Sequence, residues 1–148
     1  MSLGQQLLEP IRSGSSHIDW ECEDSEVIVD IEISDRLAML VRRIYVLGRK
    51  RDPAPSLLKK QAEAVIDGLT YLDTTLQLIE WDRISNMVQM RGRPDRADPT
   101  LPQYFEIIID RSPSISLHRR CAHETIPFHI SNDCFVRLVN DLVKIVRL

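Results

Sequence analysis

The sequence predicts an α+β fold: a single domain over residues 1–148, a mostly antiparallel β-sheet, and two main helices, about 57–73 and 132–146, packed on one face. Three observations predict it. Apolar residues alternate with polar ones in several runs, the period of strands buried on one side. These runs follow one another through short polar turns, which favours antiparallel pairing over strands separated singly by helices. Two further stretches carry apolar residues every three or four positions and so lay a stripe that suits a sheet surface.

Gln5 to Ile11 reads as a short helix, broken by Ser13-Gly14-Ser15-Ser16. Val27, Val29, Ile31 and Ile33 alternate with Ile28, Asp30, Glu32 and Ser34, a strand with one buried face. Residues 36–47 carry two signals. Leu37, Leu40, Val41, Ile44 and Leu47 have helical spacing with Gly48 as a stop, whereas Ile44-Tyr45-Val46 is β-prone. The strand is preferred, because it sets Arg42 or Arg43 near Asp30 and Glu32.

Lys50 to Pro55 is a loop, after which Ser56 reads as an N-cap and Leu58, Ala62, Val65, Leu69 and Leu72 mark a helix over 57–73. The spacing continues through Leu76 and Ile79, as in a coiled-coil dimer, but Gly68 and Thr74-Thr75 favour a stop near Asp73 and packing on the chain's own sheet. Leu76 to Asp82 and Ile84 to Arg91 read as strands, the second with Ile84, Asn86, Val88 and Met90 on one face. Gly92 to Pro102 is a polar loop. Gln103 to Arg111 and Ser114 to Arg120 are strands joined by a turn at Ser112-Pro113. A short strand, Ile126 to Ile130, leads into Ser131 as N-cap and a closing helix with Phe135, Leu138, Val139, Leu142 and Val146 as its stripe.

With 148 residues, 43% of them apolar and 28% charged, the chain matches one ordinary domain and excludes a disulfide-stapled mini-protein, a two-domain enzyme and a disordered tail. The first twelve residues lack a secretory apolar core, and nowhere do about eighteen apolar residues follow one another, so neither export nor membrane spanning is expected. Cys22, Cys121 and Cys134 are an odd set without CxxC spacing, which suits free thiols in the cytoplasm. The net charge of −3 hides segregation: residues 1–33 hold eight acids against one base, and residues 36–60 eight bases against one acid. Residues 1–24 could form a loosely ordered acidic segment. The preferred reading pairs the two blocks as neighbouring strands whose charges face each other.

No GxGxxG, P-loop, GxSxG, HExxH or EF-hand pattern occurs, and with five glycines the backbone offers few close approaches to a phosphate. The sequence therefore leans away from an enzyme, and no cofactor is predicted. His118, Cys121, His123, His129 and Cys134 fall within seventeen positions. Cys121, His123, His129 and Cys134 are the types and number of donors that tetrahedral zinc takes. The bland reading, a solvent-facing strand histidine and a small apolar cysteine, is preferred. A Cys121–His123 or Cys121–His129 nucleophilic pair lacks a group to orient its base, and Glu80 with Asp82 reads as solvated charge. Asn86, on an otherwise apolar strand face, is expected to pin a bulge or line a polar pocket.

Arginine supplies most of the nineteen basic residues. Arg83, Arg91, Arg93, Arg111, Arg119 and Arg120 form a candidate surface for an anionic partner, because guanidinium forks match carboxylates and phosphates. Few aromatics and a negative overall charge argue against nucleic acid. The leading functional expectation is a non-enzymatic protein-binding, adaptor or chaperone-like module whose partner is a second copy (a homodimer) or another protein. A metal- or small-ligand-binding domain centred on 118–134 stands second, and an enzyme using the same cluster third.

Overall fold

The computed structural model describes residues 1–49, 54–72, 76–94 and 102–148. The chain runs α1 (Leu3–Arg12), β1 (His17–Cys22), β2 (Ser25–Ser34), β3 (Ala38–Leu47), α2 (Pro55–Gly68), β4 (Leu76–Asp82), β5 (Met87–Gly92), β6 (Gln103–Asp110), β7 (Ser114–Cys121), β8 (Glu124–Ile126), β9 (Phe128–Ser131) and α3 (Asn132–Val146). It is an α+β fold with one antiparallel sheet in the order β1-β2-β3-β7-β6-β5-β4. β3 is shared along its length: Arg43 to Leu47 pair with β7 and Ala38 to Val41 with β9, while the end of β7 continues with β8. The sheet therefore divides beside β9.

Among the described residues, the two main helices expected and the short N-terminal one cover one face. α3 lies between α1 and α2 and touches β3, β7 and β9, while α2 reaches β4, β5 and β6. Val27, Val29, Ile44, Val46, Ile107, Ile109, Ile115 and Leu117 turn to that face and are fully buried, in one core with Phe135, Leu138, Val139 and Leu142 of α3. α1 reaches the core because its second residue, Gly4, has no side chain: a Cβ there would stand 2.5 Å from the Val136 carbonyl oxygen of α3. Instead the Gly4 N–H donates to Asn140 Oδ1 at 2.9 Å. The segment 1–24, for which loose order was one expectation, is thus tied down through α1 and β1, with Leu7, Ile11 and Ile18 buried.

Within residues 36–47, Ala38–Leu47 forms a strand, and the charge blocks meet as expected. Arg43 lies opposite Asp30, and the two residues that fall out of register on the paired strands, Glu32 and Arg42, form an ion pair with each other. α2 departs from the expected 57–73. It starts at Pro55 after Ala54, so Ser56 is inside the helix and makes no cap, and it stops at Gly68. Leu69 and Leu72 continue the apolar spacing and are buried, but from non-helical chain. The stop expected near Asp73, the Thr74-Thr75 pair and much of the loops at 50–55 and 92–102 lie outside the described residues. β5 begins at Met87, three residues later than expected, and Pro127 splits the expected 126–130 strand into β8 and β9. α3 matches its expectation, with Ser131 Oγ accepting from Cys134 N–H at 3.2 Å. Among the described residues no helix is long and apolar enough to cross a membrane.

Candidate functional site

The division of the sheet opens a cleft of about 970 Å³. One wall comes from Leu40 of β3 and the run Pro127 to Ser131, the other from Gln103 and Phe105 of β6 and Arg119 of β7. Tyr71, Leu72, Arg93, Pro94 and Cys134 complete it. Phe105 and Phe128 meet edge to face, 5.1 Å between ring centres, and the Arg119 guanidinium stands 4.9 Å from the Phe105 ring centre while its Nε donates to Gln103 Oε1 at 3.4 Å. Tyr71 is anchored from α3: its hydroxyl donates to Asp141 at 2.7 Å, and Arg137 lies 4.1 Å from its ring centre. Burial and that hydrogen bond push the phenol far above its usual range, so it stays neutral.

Of the four residues matched to zinc, the structure brings His129 and Cys134 to this cleft. Cys121 ends β7, paired with Gln103 and Glu124, and His123 is exposed in the β7–β8 turn, where its carbonyl accepts from Arg120. Among the described residues, no three His, Cys, Asp or Glu side chains are placed to hold a metal ion together. Asn86 lies outside the strand on whose face it was expected. It occupies the β4–β5 turn at φ 52, a backbone shape that asparagine tolerates better than most residues, and lines a shallow cleft with Pro55, Lys59, Trp81 and Arg83. The same turn is held by Asp82 Oδ1, which accepts from the N–H groups of Ile84 and Ser85.

The six arginines do not share a surface. Arg93 and Arg119 line the cleft; Arg83 lies 5.5 Å from the Trp81 ring centre near the β4–β5 turn; Arg111 is exposed in the β6–β7 turn. Arg91 and Arg120 stand on the other face of the sheet, where strand register lines up one row of charge across six strands: Arg91, Glu106, His118, Arg43, Asp30 and His17. Its centre is buried. Glu106 accepts from His118 Nε2 at 2.8 Å, Gln89 at 2.6 Å and Arg91 at 3.3 Å, and at the far end His17 meets Asp30 at 2.6 Å. Burial alone would raise the Glu106 carboxyl, but the hydrogen bonds from Gln89 and His118 and the charges of His118 and Arg120 outweigh it and hold it below its usual range. A carboxylate this well satisfied ties strands together; Glu106 and His118 were not paired by sequence reasoning, because their meeting depends on the β6–β7 register.

Sequence reasoning also missed the corner at β4. This strand ends the sheet, and Leu78 and Ile79 on it are 48% and 50% exposed. Ile84 at the adjoining turn is 96% exposed, and Met87 at the start of β5 is 40% exposed. Leu78 lies in register with buried Met90, hence on the helix-bearing face, whereas Met87 alternates with buried Val88 and stands on the other. Ile79 is the extra residue of a bulge between Leu78 and Glu80. The strand itself was expected over Leu76 to Asp82, but the bulge at Ile79 breaks its alternation, so the exposure of Leu78 and Ile79 could not be read from the pattern. No protein-family model, curated protein or solved structure matches the chain.

Proposed function

We propose that the chain is a non-enzymatic protein-binding module that takes up an extended segment of another protein along β4. The observation that carries this reading is the exposure of large apolar side chains on both faces of the sheet at its open corner, Leu78 of the edge strand β4 on one and Met87 at the start of the neighbouring β5 on the other. An added strand turns alternate side chains to each face of a sheet and covers both, whereas a rigid surface reaches one. Exposed Gln77, Glu80 and Asp82 set the remaining chemistry: the segment alternates apolar residues with basic ones. A second copy fits less well, since β4 itself has two acids and no base, and a bulge discourages pairing between identical edges. The three free cysteines support a reducing, cytoplasmic setting.

Selection of displayed random peptides on the full chain tests this. The expected winners alternate apolar and Lys/Arg residues, and lose binding to the Ile79→Lys variant while its melting temperature stays unchanged. Winners indifferent to that substitution contradict the reading. So does a dimer by light scattering that Ile79→Lys dissolves, because the edge then serves a second copy.

A further inference from the structure

The shallow cleft at the β4–β5 turn lies where β4 ends and α2 begins. It encloses about 620 Å³ between Pro55, Ser56 and Lys59 of α2 and Trp81, Arg83 and Asn86 of the corner. Trp81 supplies the apolar wall: it lies in register with buried Val88, hence on the helix-bearing face, and Arg83 stands over its ring. The remaining charge is basic. Lys59 and Arg83 are exposed, neither is in an ion pair among the described residues, and no Asp or Glu among those residues lines the cleft. α2 brings no acid in its first turn. The neighbouring Asp82 lies in register with Met87 on the opposite face, and its Oδ1 already accepts from the Ile84 and Ser85 N–H groups. Trp81 keeps its indole N–H buried without an acceptor among the described residues, a kind of donor that native structures satisfy.

We propose that this cleft captures the free C-terminus of the segment taken up along β4, with the last side chain, an apolar one, against Trp81 and the terminal carboxylate between Lys59 and Arg83. The proposal rests on the reading of β4 as a docking edge and adds a direction to it. A segment that runs parallel to β4 brings its C-terminus to the end of the strand where the cleft lies. Charge sorts the two parts of that segment: Glu80 and Asp82 on β4 suit its basic residues, and the two cations of the cleft suit its terminus. A guanidinium meets a carboxylate as a fork and an ammonium meets it as a point charge, and capture of a chain end is a recurring mode of peptide recognition.

Calorimetric titration of the full chain with the N-acetylated hexapeptide Lys-Leu-Lys-Leu-Lys-Leu, as the free acid and as the C-terminal amide, tests the proposal. The free acid binds about tenfold or more tighter than the amide. The chain's net charge of −3 favours the more positive amide, so a preference for the acid is local. Lys59→Gln with Arg83→Gln brings the acid down to the affinity of the amide and leaves the amide unchanged, whereas Ile79→Lys weakens both forms alike. In heteronuclear NMR spectra the saturating acid moves the Trp81 indole N–H signal and leaves in place that of Trp20, in β1 at the far end of the sheet. Equal affinity for acid and amide overturns the proposal, as does a preference that survives the double variant, no binding of the acid up to millimolar concentration, or an unmoved Trp81 signal. A preference that needs Lys59 and Arg83 but ignores Ile79→Lys keeps the carboxylate in the cleft and removes the reading of β4, so the two failures are told apart.

Discussion

At one end of the sheet β1 turns His17, Asp19 and Glu21 to solvent and keeps Ile18 in the core; at the other, β4 leaves Leu78 and Ile79 half exposed. Both are edge strands with one side unpaired among the described residues, and an unpaired edge invites another chain. Charge guards β1 closely. The Glu26 carboxyl in β2 is raised above its usual range by its hydrogen bond with Asp19, by partial desolvation and by the like charges of Asp19 and Glu21, which shows how densely acids crowd that edge. β4 keeps only a bulge and two acids, and its apolar residues carry the cost of exposure. The difference teaches that edge protection here is uneven: acids crowd one edge, whereas the other leaves apolar side chains exposed, which is what the proposed uptake of a segment along β4 requires.

Replacing Leu78 and Ile79 together with lysine closes the open edge and has the largest expected effect. Each aliphatic side chain contributes about 1.5–3 kcal/mol when fully buried and these are half buried already, so peptide affinity falls about ten- to a hundredfold by fluorescence polarisation. The melting temperature barely moves, because both residues are already half exposed. Opening the closed edge is the converse. Asp19→Val with Glu21→Val removes the charges that guard β1 and gives a mass by light scattering that rises with concentration, whereas the parent chain's mass does not change through this edge.

Glu106→Gln acts on the strands between the edges. It weakens the carboxylate's bonds to His118 and Arg91 and costs about 1–3 kcal/mol in urea denaturation without favouring either edge. Because the Glu106 carboxyl lies below its ordinary value near 4.5, its ionised form favours the folded chain. That contribution is complete above about pH 4.5 and is lost as the pH falls through the lower folded-state value, and the variant flattens this acid limb. Ser131→Ala, which removes the α3 cap, has the smallest effect, about 1 kcal/mol, and leaves peptide affinity at β4 unchanged.

How much of this was legible in the sequence depended on whether a local period survived. α3 and β2 kept theirs, so Ser131 as cap, the Phe135-to-Val146 stripe and the Val27-to-Ile31 face were readable. β3 looked half helical for a physical reason: register slips at Arg42, so inward positions run Met39, Val41, Ile44, Val46, and the step of three between Val41 and Ile44 imitates a helix. β4 was legible with its observed bounds, Leu76 to Asp82, and the bulge at Ile79 hid only which of its side chains share a face. Asn86 was placed on a strand face because alternation continued through a turn that only its positive φ reveals. The cleft had no local signal, since Leu40, Tyr71, Arg93, Gln103, Arg119 and Cys134 meet only through the division of the sheet. The His/Cys cluster was a concentration in sequence of which this geometry keeps just His129 and Cys134 together.

Amide hydrogen exchange of the full chain, with and without a peptide selected on it, tests the contrast of edges most directly. The account predicts slowed exchange at the β4 amides that face away from β5, with the amides of β1 unchanged. Slowed exchange at β1, or a saturated complex in which the β4 amides exchange as fast as in the free chain, would contradict it.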